Sequence, residues 1–195
     1  MNLPNKITLC RFIIAIVYFV ILSFAKIYEG KEEFIILMDV AFILFLIAAI
    51  SDVLDGYIAR KYNIVTNFGR IADPFVDKVI VCGSFILFLN FYGLDDIYYS
   101  WMVVVVIARE FLIHNIRSAA EAKGIPFGAN FWGKQKMLLQ SLTILATLFT
   151  LPHLLNIEYA VIGLKILVWV MLFSTVMSGI AYIFVIVKLF KEFKS

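Results

Sequence analysis

The chain reads as an all-α, polytopic membrane protein, and three observations carry that assignment. Hydrophobic residues fill 63% of its 195 positions, well above the ~45–50% of soluble globular chains. Charged residues supply only 16%, and the mean hydropathy is +0.97. The apolar residues gather into six runs separated by short polar stretches. So little polar side chain cannot coat a soluble globule, which disfavours a soluble enzyme, a coiled coil, collagen or a disordered chain. No nucleic-acid partner is expected.

A membrane helix needs ~20 mostly apolar residues. The first run, Ile7–Phe24, follows Pro4 and Asn5, with Asn5 a candidate helix N-cap. Lys6 and Arg11 before an apolar stretch ending Ser23-Phe24-Ala25 also resemble a signal peptide, but the charge balance of the whole chain requires this helix to stay. The second run is Phe34–Ile50 and the third Phe75–Phe91. The fourth, Tyr99–Ile116, opens beside Tyr98, Tyr99 and Trp101, as an interfacial aromatic belt would. The fifth, Leu138–Leu151, is short unless it begins near Phe131, and the sixth, Tyr159–Val187, is long enough to tilt or to leave the bilayer. Asn63–Asn67 and Gly124–Ala129 are the most loop-like stretches, and residues 1–195 read as one integral-membrane domain. Cys10 and Cys82 lie in apolar runs without metal-site spacing and read as packing residues.

Six spans put both ends of the chain on one side of the membrane. That side carries Lys6, Arg11, Arg60, Lys61, Arg70, Arg117, Lys123, Lys134, Lys136, Lys188, Lys191 and Lys194. The other carries Lys26 and Lys31, offset by Glu29, Glu32 and Glu33, and then only Asp95, Asp96 and Glu158. Positive charge is retained inside, so a cell-membrane protein with both termini cytoplasmic is expected.

Ionisable residues in or at the ends of spans are costly, and by default they are candidates for function. The strongest group joins spans two and three: Asp52 and Asp55, then Asp73 and Asp77. Spacings of three and four place each pair on one helix face. If the two helices are antiparallel neighbours, all four carboxylates can converge at the cytoplasmic boundary. Their mutual repulsion would be relieved by a divalent cation. Oxygen ligands without His or Cys suit Mg²⁺ or Mn²⁺ better than zinc. Gly56 and Ala59 leave room for a ligand near the backbone, and Arg60 can fork onto phosphate oxygens. The plainer alternative is a solvated acidic cap paired with Arg60, Lys61 and Arg70.

The pattern Asp52-x2-Asp55-Gly56-x2-Ala59-Arg60-x8-Gly69-x3-Asp73-x3-Asp77 resembles the complete signature of the CDP-alcohol phosphotransferases. Within that family, the segment Asn5 to Arg11, together with Arg109-Glu110, Arg117 and Gly133-Lys134-Gln135-Lys136, is most similar to the phosphatidylglycerophosphate synthase branch. The resemblance implies transfer of a phosphatidyl group from CDP-diacylglycerol to an alcohol, with release of CMP. It implies two divalent ions, one held by Asp52, Asp55 and Asp73 and the other by Asp52, Asp73 and Asp77. Asp77 would be the general base. Gly56, Ala59, Arg60 and Gly69, with Asn5 and Thr8, would form the CDP-diacylglycerol site, and a homodimer is implied as well.

For the acceptor, a second polar cluster holds Arg109, Glu110, His114 and Arg117, with Lys134 and Lys136 opening span five. Arg109 and Arg117, eight residues apart, share a helix face. Several cations facing the metal site suit an acceptor that carries its own phosphate, which favours glycerol 3-phosphate. Inositol phosphate, phosphatidylglycerol and serine are the alternatives within the family, and a divalent-cation transporter is the alternative outside it. The plain interpretation of these bases is lipid-headgroup anchoring, preferred for Lys123. His114 is expected beside the site and not on a metal. Asp39 and Lys165 lie at matching depth near the outer ends of their spans, and are expected to pair or to snorkel outward, far from the chemistry.

Overall fold

The computed structural model describes the backbone of residues 3–61, 67–122 and 131–192, and side chains within 8–52, 72–120, 133 and 135–183. Six α-helices follow one another: α1 Leu3–Ile27, α2 Glu32–Lys61, α3 Asn67–Phe88, α4 Ser100–Ala122, α5 Phe131–His153 and α6 Glu158–Glu192. Four contain a whole apolar run, the third run continues past the end of α3 to Phe91, the fourth starts one residue before α4, and α5 does begin at Phe131. Asn5 does not cap α1. The helix is already under way at Leu3, with Pro4 in its first turn, where a fixed φ favours helix and the missing amide costs nothing. Among the described residues, three helices are long and apolar enough to cross a membrane by length and composition: α1 over Thr8–Ile27, α2 over Glu32–Asp52 and α6 over Glu158–Ile183.

Small residues hold the first helices close. Ala15, Ala25, Ala41 and Ala48 are all buried, and where side chains are this short two backbones can approach closely. α1 packs on both α2 and α3, while α5 packs on α6, α2 and α3. α4 meets α3 and α6. The core runs through Tyr18, Phe85, Phe88 and Leu148, with polar groups paired inside it. The Tyr18 hydroxyl meets Ser84 at 2.8 Å, and the Tyr98 hydroxyl meets Thr147 at 2.6 Å. Tyr98 is therefore a core residue and not part of an interfacial belt, whereas Tyr99 and Trp101 are exposed. Its hydroxyl finds a partner on α5, which makes burial tolerable for a phenol.

At one end of the bundle the connections are tight. Gly30 and Gly93 turn the chain with φ of 85° and 79°, a region that glycine occupies without steric penalty. Glu29 links the two turns: it accepts from the Tyr92 amide at 2.8 Å and pairs with Lys26 at 2.5 Å. Phe91, Leu94 and Ile97 anchor the α3–α4 connection in the core. Near this end Asp39 takes His153 of α5 as its partner at 2.8 Å, and not Lys165. Lys165 instead lies exposed on an apolar face of α6 with Ile162, Ile166 and Trp169. Neither charge lines the cavity that holds Asp73 and Asp77. Cys10 is exposed on α1 and Cys82 is buried, both as free thiols.

Candidate active site

At the opposite end the aspartates of α2 and α3 meet through α1. Arg11, only 1% exposed, extends Nη1 to Asp52 Oδ1 at 2.8 Å and to Asp77 Oδ1 at 3.2 Å. One turn earlier on α1, the buried Thr8 hydroxyl donates to Asp73 Oδ1 at 2.6 Å. Thr8 and Arg11 are three residues apart and share a face, as do Asp73 and Asp77, so one stripe of α1 lies along one stripe of α3. Three of the four expected carboxylates are thus gathered by α1, whose Thr8 is expected at the CDP-diacylglycerol site and whose Arg11 reads as positive-inside charge within the family-like segment. The expectation of α2 and α3 as direct neighbours is modified accordingly: both pack on α1.

Asp55, Gly56, Ala59 and Arg60 lie on the last turns of α2, and Gly69 lies in the first turn of α3. Their side-chain surroundings fall outside the described residues, as do those of Asn5 and Lys134. Among the described residues there is no group of three Asp, Glu, His or Cys side chains arranged to hold a metal. The donor set nonetheless suits a hard cation. Two carboxylate oxygens from different helices already share one cationic nitrogen, and every candidate ligand is an oxygen.

Asp73 and Asp77 line one wall of a cavity of about 480 Å³. Across it lie Arg109, Glu110, His114 and Arg117 of α4, Lys136 and Gln140 of α5, and Tyr182 of α6. The cavity therefore joins the two polar clusters that lie far apart in the chain. Lys78 stands between them, one helix position past Asp77, and its ammonium donates to the Pro74 carbonyl at 3.0 Å.

The basic wall is organised around a buried acid. Glu110 Oε1 pairs with Lys136 Nζ, accepts from Arg109 Nη1 at 3.2 Å and accepts from Gln140 Nε2 at 3.4 Å. Glu110, Lys136 and Gln140 are all buried. The Arg109 guanidinium also stands 5.7 Å from the centre of the Tyr182 ring. Gly133 permits this arrangement, since a Cβ there would come within 2.7 Å of the Tyr182 hydroxyl. Of the expected acceptor residues, Arg109, Arg117 and Lys136 are brought together on this wall.

Gln140 and Tyr182 are not singled out from sequence, and Arg11 and Glu110 are named only within the family-like segments and, for Glu110, the second polar cluster, without a site role of their own. For Arg11 a signal existed: a guanidinium flanked by Leu9, Cys10, Phe12 and Ile13 is as anomalous in an apolar run as the aspartates are. Glu110 stands in the second polar cluster, with nothing in the sequence to show that it would organise the bases around it. Gln140 and Tyr182 have no charge to betray them.

Residues 1–187 match the family model for CDP-alcohol phosphatidyltransferase. Among curated proteins, the chain is 37% identical over 187 residues to the CDP-diacylglycerol–glycerol-3-phosphate 3-phosphatidyltransferase of Bacillus subtilis, covering 93% of each chain. It is 34% identical over 178 residues to the protein of the same name from Mycoplasma pneumoniae, covering 86% of this chain and 76% of that one. A probable phosphatidylglycerophosphate synthase of Mycobacterium tuberculosis is 29% identical over 182 residues, covering 93% of this chain and 80% of that one. With three aspartates of the signature gathered by α1 and two of them opening onto a basic cavity, these matches identify the chain as a membrane transferase of phospholipid biosynthesis, and it belongs to the CDP-alcohol phosphatidyltransferase family.

Proposed function

We propose that the chain transfers the phosphatidyl group of CDP-diacylglycerol to a hydroxyl of glycerol 3-phosphate, giving phosphatidylglycerol phosphate and CMP. One observation carries this choice of acceptor: a single cavity is walled by Asp73 and Asp77 on one side and by Arg109, Arg117 and Lys136 on the other. An acceptor with its own phosphate needs both walls. The cations hold the phosphate, and the hydroxyl is left pointing at the carboxylates. The names of the similar proteins from Bacillus subtilis and Mycoplasma pneumoniae agree with that acceptor.

In the proposed reaction, the acceptor hydroxyl oxygen attacks the phosphorus that bears diacylglycerol. The bond from that phosphorus to the bridging pyrophosphate oxygen breaks, and CMP leaves with the electron pair. Asp77 takes the hydroxyl proton, as a carboxylate within hydrogen-bond reach can. Asp52, Asp55, Asp73 and Asp77 would hold two Mg²⁺ or Mn²⁺ ions, which supply neutralisation of the pyrophosphate charge when bound. Gly56, Ala59, Arg60 and Gly69, with Asn5 and Thr8, belong to the CDP-diacylglycerol site in this scheme, and Lys134 joins the acceptor wall. Thr8 and Arg11 orient the carboxylates from behind, so that Asp73 and Asp77 present to the cavity.

The same proposal places all six helices across the bilayer, with the site and both termini at the cytoplasmic surface. At ~1.5 Å per residue, even the 22 residues of α3 match a hydrocarbon core of ~30 Å, with Asp73 and Asp77 recessed in its cytoplasmic half and the site opening to that surface. α3, α4 and α5 are less apolar because their ends furnish the site. The cytoplasmic assignment follows the lysine and arginine excess at that end. A homodimer is part of the proposal, and crosslinking in native membranes tests it.

Purified protein supplied with CDP-diacylglycerol and Mg²⁺ or Mn²⁺ should release CMP with glycerol 3-phosphate. Release only with inositol phosphate, phosphatidylglycerol or serine would replace the acceptor and keep the family. Divalent-cation flux into vesicles without any CMP release would instead indicate transport.

A further inference from the structure

Glu110 puts a negative charge where an anionic substrate is to bind, which is a poor choice unless it does something the cations cannot do alone. Three donors from two helices converge on its single oxygen Oε1: Arg109 Nη1, Lys136 Nζ and Gln140 Nε2. The Arg109 side chain is 10% exposed, and its Nε and Nη2 are buried without a hydrogen-bond partner among the described residues. A guanidinium offers phosphate two parallel donors along one edge, and the Nε–Nη2 edge is such a pair. Glu110 occupies Nη1 and leaves that edge over. The rest of the arginine is held from α6: its guanidinium faces the Tyr182 ring, and its Cγ lies 3.3 Å from where a side chain at Gly179 would begin.

We propose that Glu110 is a positioning residue for the acceptor phosphate: by engaging Nη1 it turns the Nε–Nη2 edge of Arg109 to the cavity, and it holds Lys136 beside that edge. This rests on the assignment of glycerol 3-phosphate as acceptor. Buried donors without partners are costly, so their persistence here fits a ligand that satisfies them. A phosphate oxygen pair does so, and a neutral hydroxyl acceptor cannot satisfy both with the same charge-assisted bonds.

The test is steady-state CMP release by the full-length protein in detergent, varying glycerol 3-phosphate and CDP-diacylglycerol separately. Glu110→Gln should raise the KM for glycerol 3-phosphate by about tenfold, the loss of roughly one charge-assisted hydrogen bond. The kcat and the KM for CDP-diacylglycerol should stay within about twofold. Arg109→Lys, which keeps the charge and loses the fork, should raise the same KM. Combining it with Glu110→Gln should add little, because the carboxylate acts through the arginine. Additive effects, or a parallel fall in kcat and both affinities, would overturn the role. Glu110→Asp retains the charge but falls short by one methylene, and should give an intermediate KM; it serves the same comparison if the Gln variant does not fold. Wild-type protein that ignores glycerol 3-phosphate while using another acceptor would defeat the acceptor assignment, and this role with it.

Discussion

The two walls of the cavity are electrostatic inversions of each other. On the α1–α3 side one cationic nitrogen, Arg11 Nη1, is shared by carboxylates from α2 and α3. On the α4–α5 side one anionic oxygen, Glu110 Oε1, is shared by donors from α4 and α5. In each case a buried ion of the minority sign tethers residues of the majority sign. Four carboxylates or several cations would otherwise repel one another, and a buried charge without a partner is expensive. The difference lies in what remains available. The acidic wall presents oxygens suited to a hard cation, and the basic wall presents nitrogens suited to phosphate. In the proposed reaction the cavity takes two ligands of opposite charge, and so has to solve the same problem twice.

The comparison breaks most sharply at the proposed base. Asp77→Asn should lower turnover by ~10²–10⁴ while CDP-diacylglycerol binding persists, measured by CMP release beside equilibrium binding; turnover close to wild type would remove Asp77 from the chemistry. Next, Arg11→Met strips the acidic wall of its tether. Thermal unfolding should register a loss of about 2 kcal/mol, below the ~3–5 of a fully buried pair because both aspartates are partly open to solvent. Excess Mn²⁺ should recover part of that loss, since a divalent ion can take over the neutralisation. No metal-dependent recovery would mean that arginine and ion do not serve the same carboxylates.

On the basic wall, Arg117→Ala should leave kcat nearly unchanged and raise the KM for glycerol 3-phosphate by about tenfold. A loss confined to CDP-diacylglycerol affinity would move this arginine to the other substrate. The smallest effect belongs to the control pair at the far end. Asp39→Asn should alter turnover by less than about twofold, because Asp39 is half-exposed and neither it nor its partner His153 lines the cavity. A large loss there would show that the two ends of the bundle are coupled.

The six helices and the aspartate stripe were legible because each follows a simple rule. Apolar runs of bilayer length predict helices, and spacings of three and four predict a shared face. The pairings were less legible, since partner choice depends on how helices pack. Asp39 could be matched in depth with Lys165, yet the packing of α2 on α5 brings it to His153. Tyr98 sits where a belt residue would in the sequence, yet its ring packs on Phe85 and Phe88 and its hydroxyl meets Thr147 in the core. Arg11 satisfied the positive-inside pattern so well that its burial went unsuspected, although its apolar neighbours offered the clue.

The contact between Gly133 and Tyr182 leaves the pocket unequally open to redesign. Any side chain at 133 would push on the tyrosine hydroxyl, and the ring would carry that push to Arg109. Efforts to admit a bulkier alcohol should therefore trim the aromatic residue on α6 and keep the glycine on α5, since the first change creates space and the second spends it.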